Sequence, residues 1–97
     1  MALYFENRGF KVFSQNKKWF GVEVDLIVIY QDQYWLVEVK SLSYEWQLPY
    51  RVHKNQKNRL KKVLACFQDY FDKAALVYFA FVEPSGRVLF LKLEDLE

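Results

Sequence analysis

Two strand-forming segments separated by a short polar turn constrain the fold of this chain more than any other feature. Val22–Tyr30 reads V-E-V-D-L-I-V-I-Y, and Tyr34–Lys40 reads Y-W-L-V-E-V-K. Both are rich in β-branched and aromatic residues, which favour strands over helices. Gln31–Gln33 between them is polar and favours a turn. The sequence therefore predicts a β-hairpin with a largely apolar interior.

The segments around this hairpin predict two helices and three further strands. Before it, Ala2–Asn7 can form a short helix closed by Gly9, Phe10–Ser14 alternates like a strand, and Asn16–Lys18 has the composition of a turn. After it come a loop at Ser41–Pro49 and an amphipathic helix at about Arg51–Asp72. Two strands follow, Ala75–Val82 and Arg87–Leu93, joined by the turn Glu83–Gly86. The order α, β-β-β, α, β-β predicts an α/β fold in which a helix packs on a sheet.

Length and composition restrict the class of protein. A chain of 97 residues, 53% hydrophobic and 27% charged, is expected to form a single domain over residues 1–97. It has no apolar run long enough to span a membrane and no signal-peptide pattern, and its only cysteine, Cys66, excludes an internal disulfide and Cys-based zinc clusters. We therefore expect a cytoplasmic protein without a membrane partner. Aromatic residues make up 20% of the chain, and this excess of apolar surface predicts a homodimer.

Acidic residues interrupt both strands of the hairpin. Side chains alternate between the two faces of a strand, so Glu23 and Asp25 share one face of the first strand, and Glu38 and Lys40 share one face of the second. A register centred on Gln31-Asp32 places Asp25 opposite Glu38 and Glu23 opposite Lys40. It also pairs Ile27 with Leu36 on the same face. On the other face it forms three apolar pairs: Val24 with Val39, Leu26 with Val37 and Val28 with Trp35. This register collects the charges at one end of one face, and we expect it for that reason.

Two carboxylates at directly opposed positions point to a bound cation. Opposed Cβ atoms lie about 4.5–5.5 Å apart, and two carboxylates that close both ionise only around a positive charge. Mg²⁺ accepts a few carboxylate oxygens and completes its shell with water or phosphate, which suits Asp25 and Glu38. Lys40 would reach the same place. The alternative is an ion-pair cluster in which Lys40 neutralises Glu23 and Glu38, and the pattern alone leaves both open.

Basic residues are concentrated on either side of this acidic centre. The net charge is only +2, but residues 8–18 and 51–62 carry ten lysines and arginines and no acid. On the predicted helix Gln56 and Lys57 lie near the apolar face, whereas Lys54 and Lys61 point outward. Such a distribution predicts a polyanionic partner held beside the carboxylates. The alternative is a solvated basic surface.

Several short segments together resemble one nuclease family. They are Gly9-Phe10-Lys11-Val12-Phe13, Asn16, Glu23-Val24-Asp25-Leu26-Ile27, Leu36-Val37-Glu38-Val39-Lys40 and Lys57-Asn58-Arg59-Leu60. In sequence and spacing they are similar to the YraN-like, Holliday junction resolvase-like family of the PD-(D/E)XK nuclease superfamily. The chain has Val22 where that family has Gly and Ser41 where it prefers Thr. An acidic residue that the family carries upstream would fall before Met1.

The resemblance implies a fold, a chemistry and a set of site residues. It implies a central mixed sheet flanked by helices, with a restriction-endonuclease-like core, and metal-dependent hydrolysis of DNA phosphodiester bonds, with branched DNA as one substrate. Asp25 and Glu38 would bind Mg²⁺ or Mn²⁺ with the Val39 carbonyl, and Lys40 would orient or deprotonate the attacking water. Glu23 would either hold Lys40 or contact a second metal ion. Gln56 or Lys57 of the helix would contact the scissile phosphate. Lys54 and Lys61, which point outward, are candidates for contacts with the DNA backbone, or form a solvated helix face. The alternative is a non-catalytic nucleic-acid-binding protein with a degenerate nuclease fold.

Overall fold

A computed structural model describes residues 1–42 and 53–96 of the chain. These residues form an α/β fold with a five-stranded mixed sheet in the order β1-β2-β3-β4-β5, in which β3 and β4 are parallel and the other neighbours antiparallel. The elements are α1 Ala2–Glu6, β1 Lys11–Trp19, β2 Val22–Tyr30, β3 Gln33–Ser41, α2 Lys54–Phe71, β4 Ala75–Val82, β5 Val88–Lys92 and a 3₁₀ turn Leu93–Leu96. The predicted α/β class and element order are confirmed. Residues 43–49 of the predicted loop and Arg51 lie outside the described residues.

A helix packs against each face of the sheet. The larger core lies between the sheet and α2, whose residues Leu60, Val63 and Phe67 are buried there because they recur at helical spacing. The second core lies on the opposite face, where α1 contributes Phe5 and the sheet contributes Val28 and other apolar residues. Within the described ranges, no helix is long and apolar enough to cross a membrane.

Two-residue turns connect the first three strands. Both residues of each turn have positive φ, at Phe20-Gly21 (53° and 82°) and at Gln31-Asp32 (49° and 64°), which is the geometry that suits the twist of a hairpin. The predicted turn at Asn16–Lys18 is wrong, because β1 continues through it to Trp19. The polar composition that suggested a turn belongs to an exposed edge strand, where lysines are well tolerated.

The hairpin of β1 and β2 bends sharply in its middle. Asn16, between the pairs Gln15–Leu26 and Lys17–Val24, has a φ of 48°. Six residues of straight strand span about 20 Å, yet the Trp19 ring lies 5.7 Å from that of Phe13. The end of the hairpin, residues 17–24, therefore folds over towards α2, and we call it the hairpin tip.

The bend alters the register and the faces that the sequence predicted. The pairs Ile27–Leu36, Leu26–Val37 and Val28–Trp35 are confirmed. In the described part of the chain, however, the β2–β3 ladder ends at Leu26–Val37 and does not continue to Asp25–Glu38. The prediction that Val24 shares a face with Leu26 and Val28 is wrong, because Val24 lies with Ile27 in the core against α2. A strand that bends between these positions no longer alternates regularly.

Candidate metal and nucleic-acid site

Two carboxylates occupy the fork at which β2 separates from β3. The backbone N–H of Asp25 donates to Oε1 of Glu38 at 3.1 Å, and the backbone N–H of Val39 donates to Oδ2 of Asp25 at 2.9 Å. The side chains thus satisfy backbone groups that the ended ladder leaves without a strand partner. The prediction that Asp25 and Glu38 come together is confirmed, although they meet through these crossed hydrogen bonds. We call them the carboxylate pair.

Glu38 is held in an environment that disfavours its negative charge. It is the buried acid of the described residues, only 7% exposed, and the amide Nε2 of Gln56 donates to its Oε2 at 3.3 Å. Burial and the nearby charge of Asp25 raise the pKa of Glu38 to about 7, and the Asp25 N–H, Lys40 and Gln56 offset only part of that effect. A cation bound at the carboxylate pair would supply the missing compensation.

Lys40 and Val39 lie beside the pair, where the resemblance implies a catalytic lysine and a metal ligand. Lys40 is half-buried, two residues beyond Glu38 on the same strand, and its positive charge lowers the pKa of Glu38. The N–H of Val39 points to β2, and the N–H and C=O of one residue leave a strand at the same edge. The Val39 carbonyl is therefore directed into the gap that holds Asp25.

A groove of about 270 Å³ opens next to Glu38, between the hairpin tip and α2. Two of the acidic residues that the sequence assigned to the site, Glu23 and Glu38, line this groove, and one basic side chain stands on each of its walls. Its lining consists of Lys18, Gly21, Val22, Glu23, Glu38, Gln56, Arg59 and Leu60. The sequence does not predict that Lys18 and Arg59 line this groove, because the bend in the hairpin that brings them together has no signature in the alternation of side chains.

The predicted DNA-binding residues of α2 divide between two places. Lys54, Lys57 and Lys61 line a second groove of about 260 Å³ together with Asn58, whereas Gln56 points to Glu38. As predicted, Lys54 and Lys61 are exposed and Lys57 is half-buried. The Nζ of Lys57 donates to the carbonyl of Leu96 at 3.0 Å, so this lysine also attaches the 3₁₀ turn to the helix.

The side-chain donors of the carboxylate pair are all oxygens, the atoms that hard divalent cations prefer. Among the described residues there is no cluster of three His, Cys, Asp or Glu side chains, and three of the four oxygens of the pair already accept hydrogen bonds. Mg²⁺ accepts a site with few protein oxygens, in which water and phosphate complete the coordination shell, whereas a structural zinc site needs four protein ligands. Comparisons with models of known protein families and with curated proteins find no match for this chain.

Proposed function

We propose that this protein is an endonuclease that uses Mg²⁺ or Mn²⁺ to hydrolyse DNA phosphodiester bonds, with branched, Holliday junction-like DNA as its substrate class. The observation that supports this most is the carboxylate pair at the strand fork, with Lys40 beside it. We further propose that the mixed sheet is a reduced restriction-endonuclease-like core. In its favour, the site lies at the end of the central strand β3, whose parallel neighbour β4 follows α2 in the chain.

Each residue of the site would have a distinct task in that reaction. Asp25 and Glu38, with the Val39 carbonyl, would hold the ion, which polarises a phosphate oxygen and makes water a better nucleophile when it is bound. Lys40 would orient the attacking water and stabilise the negative charge that develops on the phosphate. Gln56 fixes one oxygen of Glu38 through its hydrogen bond. Glu23, exposed on the wall of the groove, would hold Lys40 or contact a second metal ion.

One observation favours a second candidate, a nucleic-acid-binding protein that has lost catalysis. Both members of the carboxylate pair accept hydrogen bonds from backbone N–H groups and so stabilise the strand fork directly. A protein without nuclease activity would still need these two side chains for its fold. The basic groove of α2 would serve DNA binding equally well in either case.

Cleavage of defined DNA substrates separates the two candidates. Junction, flap, single-stranded and duplex DNA are incubated with Mg²⁺ or Mn²⁺ and the wild type, Glu38→Gln or Glu6→Gln. Glu6 is an exposed acid of α1, on the other face of the sheet, and serves as the matched control. We expect the wild type and Glu6→Gln to cut junction DNA and Glu38→Gln to be inactive, with unchanged circular dichroism. Binding without cleavage by the wild type in either metal would contradict the endonuclease and support the second candidate.

A further inference from the structure

The hairpin tip carries an aromatic residue in an unfavourable backbone conformation. Phe20 has a φ of 53°, which a bulky side chain rarely adopts and which Asn or Gly adopts easily. The residue is 42% exposed, its ring packs edge-on against that of Tyr70 of α2 with ring centres 6.0 Å apart, and Tyr70 is itself 74% exposed. The ring therefore adds little to the core. An exposed aromatic pair kept at a strained position points to a binding role.

Basic side chains connect this aromatic pair to the carboxylate pair. Lys18 and Arg59 are exposed and stand on opposite walls of the groove beside Glu38, and Gly21, next to Phe20, belongs to the same groove. Lys17 lies at the same tip, with its Nζ 5.0 Å from the centre of the Trp19 ring. The surface from Glu38 to Phe20 is thus continuous, and its positive charges complement phosphates.

We propose that this surface binds an unpaired strand of DNA, with its phosphates at Lys18 and Arg59 and a base stacked on Phe20 and Tyr70. The inference rests on the proposed function, because it identifies an unpaired strand as the part of the DNA substrate that leads to the carboxylate pair. Aromatic rings stack on bases whose faces are open, as in single strands, whereas the bases of a duplex are covered by their neighbours.

The dimensions of α2 set the length of DNA that the surface accepts. Gln56, at the carboxylate pair, and Tyr70 are separated by fourteen residues of one helix, which corresponds to about 21 Å at 1.5 Å per residue. A stacked strand advances about 3.4 Å per nucleotide, so about six nucleotides cover this distance. Affinity per binding register should therefore rise with length up to about six nucleotides and change little beyond that.

Binding of fluorescently labelled oligothymidines of three to twelve nucleotides, measured by anisotropy in EDTA, tests the inference. Phe20→Asn should weaken binding about tenfold, the order expected when one stacked base is lost, with a melting temperature equal to or above that of the wild type. Phe20→Trp, which keeps an aromatic ring, should bind about as tightly as the wild type. The matched control is Tyr30→Asn, since Tyr30 is 40% exposed at the other end of β2. Lys18→Ala should weaken binding more than Lys11→Ala, in the same strand.

The outcomes distinguish this inference from the proposed function, because binding in EDTA requires no cleavage. Wild-type affinity in Phe20→Asn, or an equal loss in Tyr30→Asn, overturns the inference even if the wild type cuts junction DNA. Affinity per binding register that keeps rising through twelve nucleotides also overturns it. Conversely, a Phe20-dependent site in a protein that cuts no DNA supports the inference and contradicts the endonuclease.

Discussion

Replacing Glu38 by Gln should remove a loss of stability that the wild type suffers as the pH rises. The pKa of Glu38 is raised from 4.5 in the unfolded chain to about 7 in the folded protein by burial and by Asp25. Below pH 4.5 both states are protonated and the group has no effect. Between these values the unfolded state releases the proton first, so the free energy of unfolding falls with pH, and the fall is complete above about pH 7. The difference corresponds to about 3 kcal/mol.

Urea unfolding at several pH values from 4.5 to 8.5, followed by tryptophan fluorescence, measures this effect. The amide of Gln can still accept the hydrogen bond from the Asp25 N–H but carries no charge. Stability of Glu38→Gln relative to the wild type should therefore increase by up to about 3 kcal/mol across the range. Glu6→Gln, which removes an exposed carboxylate, controls for net charge. Parallel curves for the wild type and Glu38→Gln would refute a buried, poorly compensated charge at this position.

Three further predictions concern the metal, the lysine and the helix. Mg²⁺ in large excess should raise the melting temperature of the wild type at pH 8, because the proposed site exists only in the folded protein, and should leave that of Asp25→Asn unchanged. Lys40→Ala should abolish DNA cleavage while DNA binding, measured by anisotropy, persists. If the wild type cuts no DNA and Lys40→Ala is less stable than the wild type, Lys40 is a simple counter-ion. Replacing Lys54, Lys57 and Lys61 together by Ala should weaken DNA binding and reduce its dependence on salt. Lys11→Ala is the single-site control.

The sequence predicts the strands, the long helix and the carboxylate pair because each depends on a local pattern. Alternation and the short turn at Gln31-Asp32 are enough to set Ile27 opposite Leu36, and that register already brings Asp25 near Glu38. The groove between the hairpin tip and α2 could not be predicted in the same way. It depends on the positive φ of Asn16, and Asn adopts that conformation in only a minority of its occurrences.

The side of the sheet on which Val24 lies shows the same limit. Period-two alternation assigns it to the face of Leu26, and only contacts distant in sequence, with α2, draw it to the other. The participation of Gln56 is a similar case, because helical periodicity places it near the apolar face but does not indicate that its amide reaches Glu38. Patterns within one element predict its own faces, whereas the packing of two elements decides which groups meet.

The bend at Asn16 also bears on how copies of this chain would associate through their strands. An edge strand that is long and straight offers a row of free backbone groups to another sheet, which is a common route to aggregation. β1 lies at one edge of the sheet, and there the bend and the register shift between Val12 and Ser14 interrupt that row. β5, at the other edge, pairs regularly with β4 from Val88 to Lys92. Strand addition, if two sheets join edge to edge, is therefore directed to β5, and the bend that forms the groove beside Glu38 also keeps the β1 edge from templating a growing sheet.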